Sequence, residues 1–277
     1  MKIAFNILPV ITDYEQVHLL VEAGSYGISF AWFTKDPYNM RGIAVYNLTD
    51  KVLPEGIAAA IEKVLQASPV FNKVHASVTI CYDFKESLLV PEVHYNTSTA
   101  EAMLNLVHAS DVEINVKAEA VRGLAVFNVY AVHKKIEAVL SRQFPAATIH
   151  HSTSLQLEKT YSGGKSIHCI FFHNSIKVFM FNEQALQFVQ QFNYDTPVDA
   201  TYHLLNCCEQ YDFKPAAITL VLSGMVDEKS KLYTELYRYF INIEFEKTGS
   251  GIELHDRIRF YPSHFFSHLT VLASCVS

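Results

Sequence analysis

Several residue groups have types and spacings that could carry chemistry. Gly163, Gly164, Lys165 and Ser166 end like a phosphate loop. That device also needs a glycine at position 159, a strand before it and a helix after it, so that successive backbone N–H groups cradle the phosphates. Lys159 stands at that position and the residues from Ser166 onward read as a strand, so the match fails. His264 and His268 are four apart, which on a helix would place both on one face, within reach of one ion. No HExxH glutamate lies between them and spacing offers no third ligand. They read as structural histidines in an aromatic-rich helix, and no metal is called for. His150 and His151 would point apart on a strand, and His168 and His173 flank an apolar strand as core-edge residues. Cys81, Cys169, Cys207, Cys208 and Cys275 are an odd, sparse set without a CxxC. They fit buried thiols rather than a disulfide framework or a zinc knuckle.

The chain that must position such groups has 277 residues, half of them hydrophobic and 18% charged. Enough apolar surface is present to offset chain entropy, which excludes a disordered tail. The length is where one core stops growing and two domains are expected. A formal net charge of −6 excludes a dedicated nucleic-acid binder, which needs a basic stripe. The opening apolar run is short and interrupted by Asn6 and Pro9, unlike a secretory signal. The stretch 260–277 lacks Asp, Glu, Lys and Arg but carries Pro262, His264 and His268, so it reads as a docked terminal helix rather than a membrane span. A cytoplasmic protein is the expectation.

Residues 16–23, 27–34 and 41–47 read as three short strands joined by tight turns, an antiparallel meander. A helix from Pro54 follows, with Ile57, Ile61, Val64 and Leu65 on one face. Strands at 74–81 and 87–90, a helix from Ser98, strands at 113–118 and 124–131, a helix at 132–143 and a short strand at 147–150 complete the first part. The second part begins again with strands at 166–173, 176–181 and 185–193 and a helix from Pro197. A strand at 217–222, a helix at 228–240, a strand at 241–246 and a helix at 263–275 close the chain. The order strand, strand, strand, helix, strand, helix, strand, helix therefore occurs in both halves, about 150 residues apart. The first half carries extra material near 82–131.

A three-stranded meander followed by alternating helices and strands resembles a ribonuclease H-like unit, and two such units resemble the actin-like ATPase fold. The stretches LLVEAGSYGISFAW, SLLVPEVHYN, FFHNSIKVFMFN and AITLVLSG carry a resemblance, over nearly the full length, to an uncharacterised bacterial domain-of-unknown-function family assigned that fold. The resemblance implies an α/β chain of two lobes, each with a mixed sheet flanked by helices, and a cleft between them. The first lobe would be 1–158, with an insert at about 82–131, and the second 159–277. It further implies a phosphate turn between the first two strands of each lobe, with an acidic residue, any residue, glycine, then Thr or Ser. The first lobe offers Glu22, Ala23, Gly24 and Ser25, with the longer Glu in place of Asp. The second offers Phe172, His173, Asn174 and Ser175, with neither carboxylate nor glycine. A glycine pair that would pack adenosine is reduced to Gly224, after Ser223.

Gly24, Ser25 and Gly224 are thus the candidate nucleotide-binding residues, as a remnant. The plainer reading makes Gly24 and Gly224 turn and strand-end glycines. A bulky neutral second turn cannot cradle a triphosphate or hold magnesium, so ATPase activity is expected to be lost. A two-metal nuclease would need Glu22, Glu62 and Asp83 to converge, and the acidic net charge gives no surface that would steer nucleic acid. The 19 Phe and 15 Tyr mostly fill cores, and any exposed cluster would mark a partner surface. The expected function is a non-catalytic binding or assembly module with a protein partner or self-association, without cofactor, nucleic acid or membrane span. The alternative is a divergent nucleotide binder using Gly24, Ser25 and Gly224 in the cleft.

Overall fold

The computed structural model describes residues 1–35, 38–48, 53–108, 112–159, 164–249 and 251–276. The chain packs as two units. The first comprises Met1–Lys159, Gly251–Ile258 and Val271–Ser277, and the second Thr160–Ser250 and Arg259–Thr270.

In the first unit, β1 (Lys2–Ile7), β2 (Val17–Gly24), β3 (Gly27–Lys35) and β4 (Tyr38–Asn47) precede helix α1 (Pro54–Ala67) and β5 (Ser77–Asp83). Then come β6 (Ser87–Pro91), α2 (Ala100–Val107), β7 (Ile114–Ala120), β8 (Val126–His133), α3 (Lys134–Gln143), β9 (Thr148–His151) and α4 (Ser152–Glu158). The main sheet has the order β1-β4-β3-β2-β5-β9. Its meander β2-β3-β4 is antiparallel, whereas β5 and β9 run parallel to β2. Every residue of β2 is buried, as a central strand covered on both faces requires. Val17, Leu19, Val21 and Ala23 face the core that receives Ile57, Ile61, Val64 and Leu65 of α1 and Ile136 and Leu140 of α3. An aromatic cluster closes this core, with Phe71 4.4 Å from Phe30 and 5.9 Å from Trp32 between ring centroids. Because side chains alternate along a strand, His18, Leu20, Glu22 and Gly24 fall on the other face.

The inserted material forms its own antiparallel sheet, β6-β8-β7, with Leu104 of α2 packed on Val90, Val129 and Ala131. It occupies 87–133, since β5 runs on to Asp83 and β8 to His133.

The second unit holds β10 (Lys165–Phe171), β11 (Ser175–Asn182), β12 (Ala185–Asn193), α5 (Pro197–Gln210), β13 (Thr219–Gly224), α6 (Lys231–Tyr237) and β14 (Asn242–Phe245). Its sheet has the order β12-β11-β10-β13-β14, the same meander-plus-parallel arrangement as β4-β3-β2-β5-β9. Helix α5 starts at a capping box in which Thr196 and Asp199 satisfy each other's backbone N–H groups, with Pro197 at the first helical position. It buries Ala200, Leu204, Cys207 and Cys208 against the sheet, beside Leu232 and Leu236 of α6.

The chain ends with β15 (Glu253–Leu254), which pairs with Asn39 and Met40 of β4 in the first unit, then α7 (Asp256–Arg259) and α8 (Ser267–Cys275). The helix expected at 263–275 is broken at Phe266, with a short 3-10 turn at Ser263–Phe265 ahead of α8. His264 and His268 therefore do not share one regular helix. His264 Nε2 lies 2.7 Å from the Val226 carbonyl, and His268 sits edge-on to Phe172.

His18 illustrates how the second face of β2 is used. Its Nδ1 lies 2.8 Å from Ser77 Oγ. Burial, then the nearby Lys35 and His75, pushes its pKa down to about 4. The imidazole is neutral in the fold but takes a proton near pH 6.5 in the unfolded chain. Its stabilising contribution is therefore complete above about pH 6.5 and is lost as pH falls toward 4, by roughly 3 kcal/mol in all. Urea midpoints at pH 7, 5.5 and 4.5 should fall more steeply for the native chain than for His18→Gln. Parallel pH dependences would contradict this assignment.

Candidate functional site

In open α/β sheets, ligands bind beyond the carboxyl ends of the parallel strands. In the first unit those ends are Gly24 of β2, Asp83 of β5 and His151 of β9, and Gly24 pairs with Asp83 across the sheet. Glu22, one step back on β2, and Asp83 are both fully buried.

The β2–β3 turn is closed by Gly24 opposite Gly27, with Ser25 and Tyr26 between them. Ser25 is exposed at the tip, while Tyr26 turns inward to 3% exposure. Its phenol feels the charge of both carboxylates. Burial, then the charges of Glu22 and Asp83 and a hydrogen bond with Glu22, pushes its pKa well above the usual tyrosine value. The phenol therefore keeps its proton. On the side where a Cβ would stand, Gly24 is already met by its own surroundings. An atom there would be 2.6 Å from the Asp83 carbonyl oxygen and 2.7 Å from Cε1 of Tyr26.

The start of α4 supplies further partners. Ser152 Oγ donates to Glu22 Oε1 at 2.9 Å. His151 Nδ1 accepts the Thr153 N–H at 3.2 Å, which caps the helix and leaves Nε2 as the ring's N–H, 3.2 Å from the Phe84 carbonyl. Glu119 of β7 accepts the His151 N–H at 2.7 Å and lies 3.0 Å from His150 Nδ1, tying the inserted sheet to β9. Buried Asn128 of β8 accepts from Ser87 Oγ at 2.7 Å and donates to Ser154 Oγ at 2.9 Å. The chain thus fills the corner with its own hydroxyl, imidazole and phenol groups.

In the second unit the equivalent strand ends are Phe171 of β10 and Gly224 of β13, which pair with each other. The glycine has changed strands: it ends the first meander strand in one unit and the parallel strand beside it in the other. Gly224 has φ +77, and a Cβ there would be 2.2 Å from the Phe171 carbonyl oxygen. That close approach lets the Met225 N–H donate to the same carbonyl at 2.7 Å. The Phe172–Ser175 turn is closed by its backbone, and Tyr194 donates its hydroxyl to the Phe172 carbonyl at 2.9 Å.

Of the candidates read from sequence, Gly24 and Ser25 lie together at the first-unit corner and Gly224 ends a strand of the second unit. Of the carboxylates, Glu22 on β2 and Asp83 at the end of β5 are both fully buried at this corner. Glu62 is elsewhere, on the exposed side of α1 in an ion pair with Arg142. Gly163 lies outside the described residues. Among the described residues, no group of three or more His, Cys, Asp or Glu is placed to hold a metal ion, and no helix is long and apolar enough to cross a membrane. Sequence reading missed Tyr26, His151 and Ser152. Tyr26 directly follows Gly24-Ser25 inside the turn, so its place was readable but its inward direction was not.

Among solved structures, the chain is similar to a Bacteroides thetaiotaomicron protein described as having an actin-like ATPase fold and unknown function. That match has a TM-score of 0.76 at 18% identity and covers 96% of this chain and 99% of that one. A PilM-PilN type IV pilus biogenesis complex gives a TM-score of 0.62 at 12% identity, covering 94% and 98%. The cytoplasmic domain of EpsL, an inner-membrane component of the type II secretion system of Vibrio cholerae, gives 0.51 at 12% identity, covering 94% of each chain. No curated protein sequence matches. At these identities the likeness shows the fold, and the chain has the actin-like ATPase fold. The model of DUF3822, a family described as protein of unknown function, matches residues 10–243, and the chain belongs to that family.

Proposed function

We propose that this actin-like chain does not hydrolyse ATP and acts as a binding or assembly module. The observation that carries the reading is the packing at Gly24. A phosphate turn needs its glycine bare so that backbone N–H groups can close on oxygen atoms. Here the Tyr26 ring and the Asp83 carbonyl stand where that room would be. Glu22, the carboxylate that would orient a metal, accepts Ser152 and is fully buried. The second unit's turn carries His173 and Asn174 in place of a carboxylate and a glycine. Gly24, Ser25 and Gly224 are then a structural remnant, and their glycines serve close strand packing.

Two further points support a partner-binding role. One protein of this fold is known in a PilM-PilN complex. Around the inserted sheet, Val93 in the turn after β6 and Leu106 and Val107 on α2 are exposed, and Leu106 is 88% accessible. We place the protein in the cytoplasm, in keeping with five free cysteines. Titration with magnesium-ATP tests the reading. No saturable binding and no phosphate release are expected, and metal-dependent turnover would overturn it.

A further inference from the structure

Sheet edges expose unpaired N–H and C=O groups, and proteins blunt them with short strands, charges, proline or bulges. Nearly every sheet edge among the described residues follows that rule. Strand β1 carries Lys2 and a register break between Ile3 and Phe5. Strand β9 has four residues, and Glu119 takes up its last N–H. Strands β14 and β15 are short and carry Glu244 and Glu253. Strand β6 ends in Pro91, and β7 bears Lys117 and Glu119.

Strand β12 is the exception along its second half, beyond one register break near its start. Its nine residues, ALQFVQQFN, include no charge, proline or glycine. A register break near Leu186 leaves Phe188–Asn193 in unbroken antiparallel pairing with Ser175–Met180. These six residues carry no charge, proline or glycine, and three of them are Phe or Val, so nothing in their types blocks pairing with a further strand. Two ring stacks hold this edge in place: Phe188 on Tyr211 at 5.1 Å and Phe192 on His203 at 4.6 Å. At the strand's ends, the Ala185 carbonyl accepts from Gln187 and the Asn193 carbonyl faces His203. Between them, among the described residues, no strand pairs with the outer edge of β12.

We propose that this edge pairs antiparallel with the same edge of a second copy of the chain, about a two-fold axis through Gln190. The segment Phe188-Val189-Gln190-Gln191-Phe192 reads nearly alike in both directions. With that axis perpendicular to the sheet, Gln190 meets Gln190 of the other copy, Phe188 meets Phe192, and Val189 meets Gln191. Each residue then faces one from the same side of the sheet, as directly opposed antiparallel residues must. No like charges oppose, and the contact is isologous and closed. The two five-stranded sheets become one continuous sheet.

The inference deepens the assembly reading, but it rests on the outer edge of β12 and not on the phosphate turns. A flat nucleotide titration combined with a monomeric chain would sink it alone. Light scattering on the full chain across a concentration series should show the mass rising to twice the monomer's. The Val189→Lys/Gln190→Lys variant should weaken association at least tenfold, with its circular dichroism spectrum unchanged. Should that variant fail to fold, Gln190→Cys decides: under mild oxidation it should give a cross-linked dimer above the unsubstituted background, while Leu106→Cys should not. A monomer at every concentration would overturn the proposal. So would a dimer indifferent to the two lysines, or the absence of a Gln190→Cys cross-link.

Discussion

Gly224→Val is expected to destabilise the protein by more than about 4 kcal/mol, placing it among the most damaging single substitutions. Two independent effects add. The φ of +77 puts any L side chain in the left-handed region, which costs roughly 1–2 kcal/mol. The new Cβ would also lie 2.2 Å from the Phe171 carbonyl oxygen, a backbone atom that cannot swing aside. Relief would require β13 to part from β10 and would break the Met225 bond to that carbonyl. Gly123→Ala separates the two effects. Its φ of +79 is nearly the same, but nothing lies within 4 Å of a Cβ there. That variant should lose only the roughly 1–2 kcal/mol of the backbone term. Equal losses at the two positions, measured by urea denaturation, would show that the close approach does not matter.

Tyr26→Ala is the second large effect, at about 3–5 kcal/mol, the usual range for truncating a buried aromatic ring. The substitution removes the ring packed against Gly24. Tyr26→Phe keeps the ring over Gly24 and should lose less than Tyr26→Ala. Gly24→Ala in the Tyr26→Ala background should be milder than in the native chain, because one of the two neighbours nearest the new methyl is gone. The other, the Asp83 carbonyl at 2.6 Å, remains. Residues in contact are expected to couple in this way. Strict additivity would mean that the Tyr26 ring does not occupy the space over Gly24.

Much of the fold was legible because local rules and tertiary structure agree. Strands β2, β3, β10 and β11 are runs of β-branched and aromatic residues bounded by turns. Helices α1 and α5 announce themselves by a proline at the first position and apolar residues on one face. Other elements were hidden where local signals conflict with their environment. Helix α4, STSLQLE, is rich in Ser and Thr, which favour caps over helix interiors, and reads as a polar connection. It is helical because the first unit buries six of its residues in succession. Strand β15 is two residues long and exists only through pairing with β4, more than 200 positions earlier in the chain.

The candidate site divides in the same way. Gly24 and Gly224 were visible as glycines in suggestive places, but their purpose depends on cross-strand register. Only the pairings of Gly24 with Asp83 and of Phe171 with Gly224 reveal that each glycine accommodates a neighbouring carbonyl. The inward turn of Tyr26 runs against expectation, since a tyrosine next to a turn tip normally reads as exposed. Ser152 reaches Glu22 across 130 positions, a separation that no spacing rule anticipates.

The most direct test of the closed phosphate turn is a calorimetric titration of the full chain with magnesium-ATP, with thermal denaturation in parallel. Any ligand that binds the native state adds about 2.7 kcal/mol of apparent stability at a hundredfold excess over its dissociation constant. A flat isotherm and an unmoved melting temperature up to millimolar nucleotide are predicted. A saturable heat at micromolar nucleotide, abolished when magnesium is chelated, would contradict the closed turn, and phosphate release alongside it would contradict the non-catalytic reading.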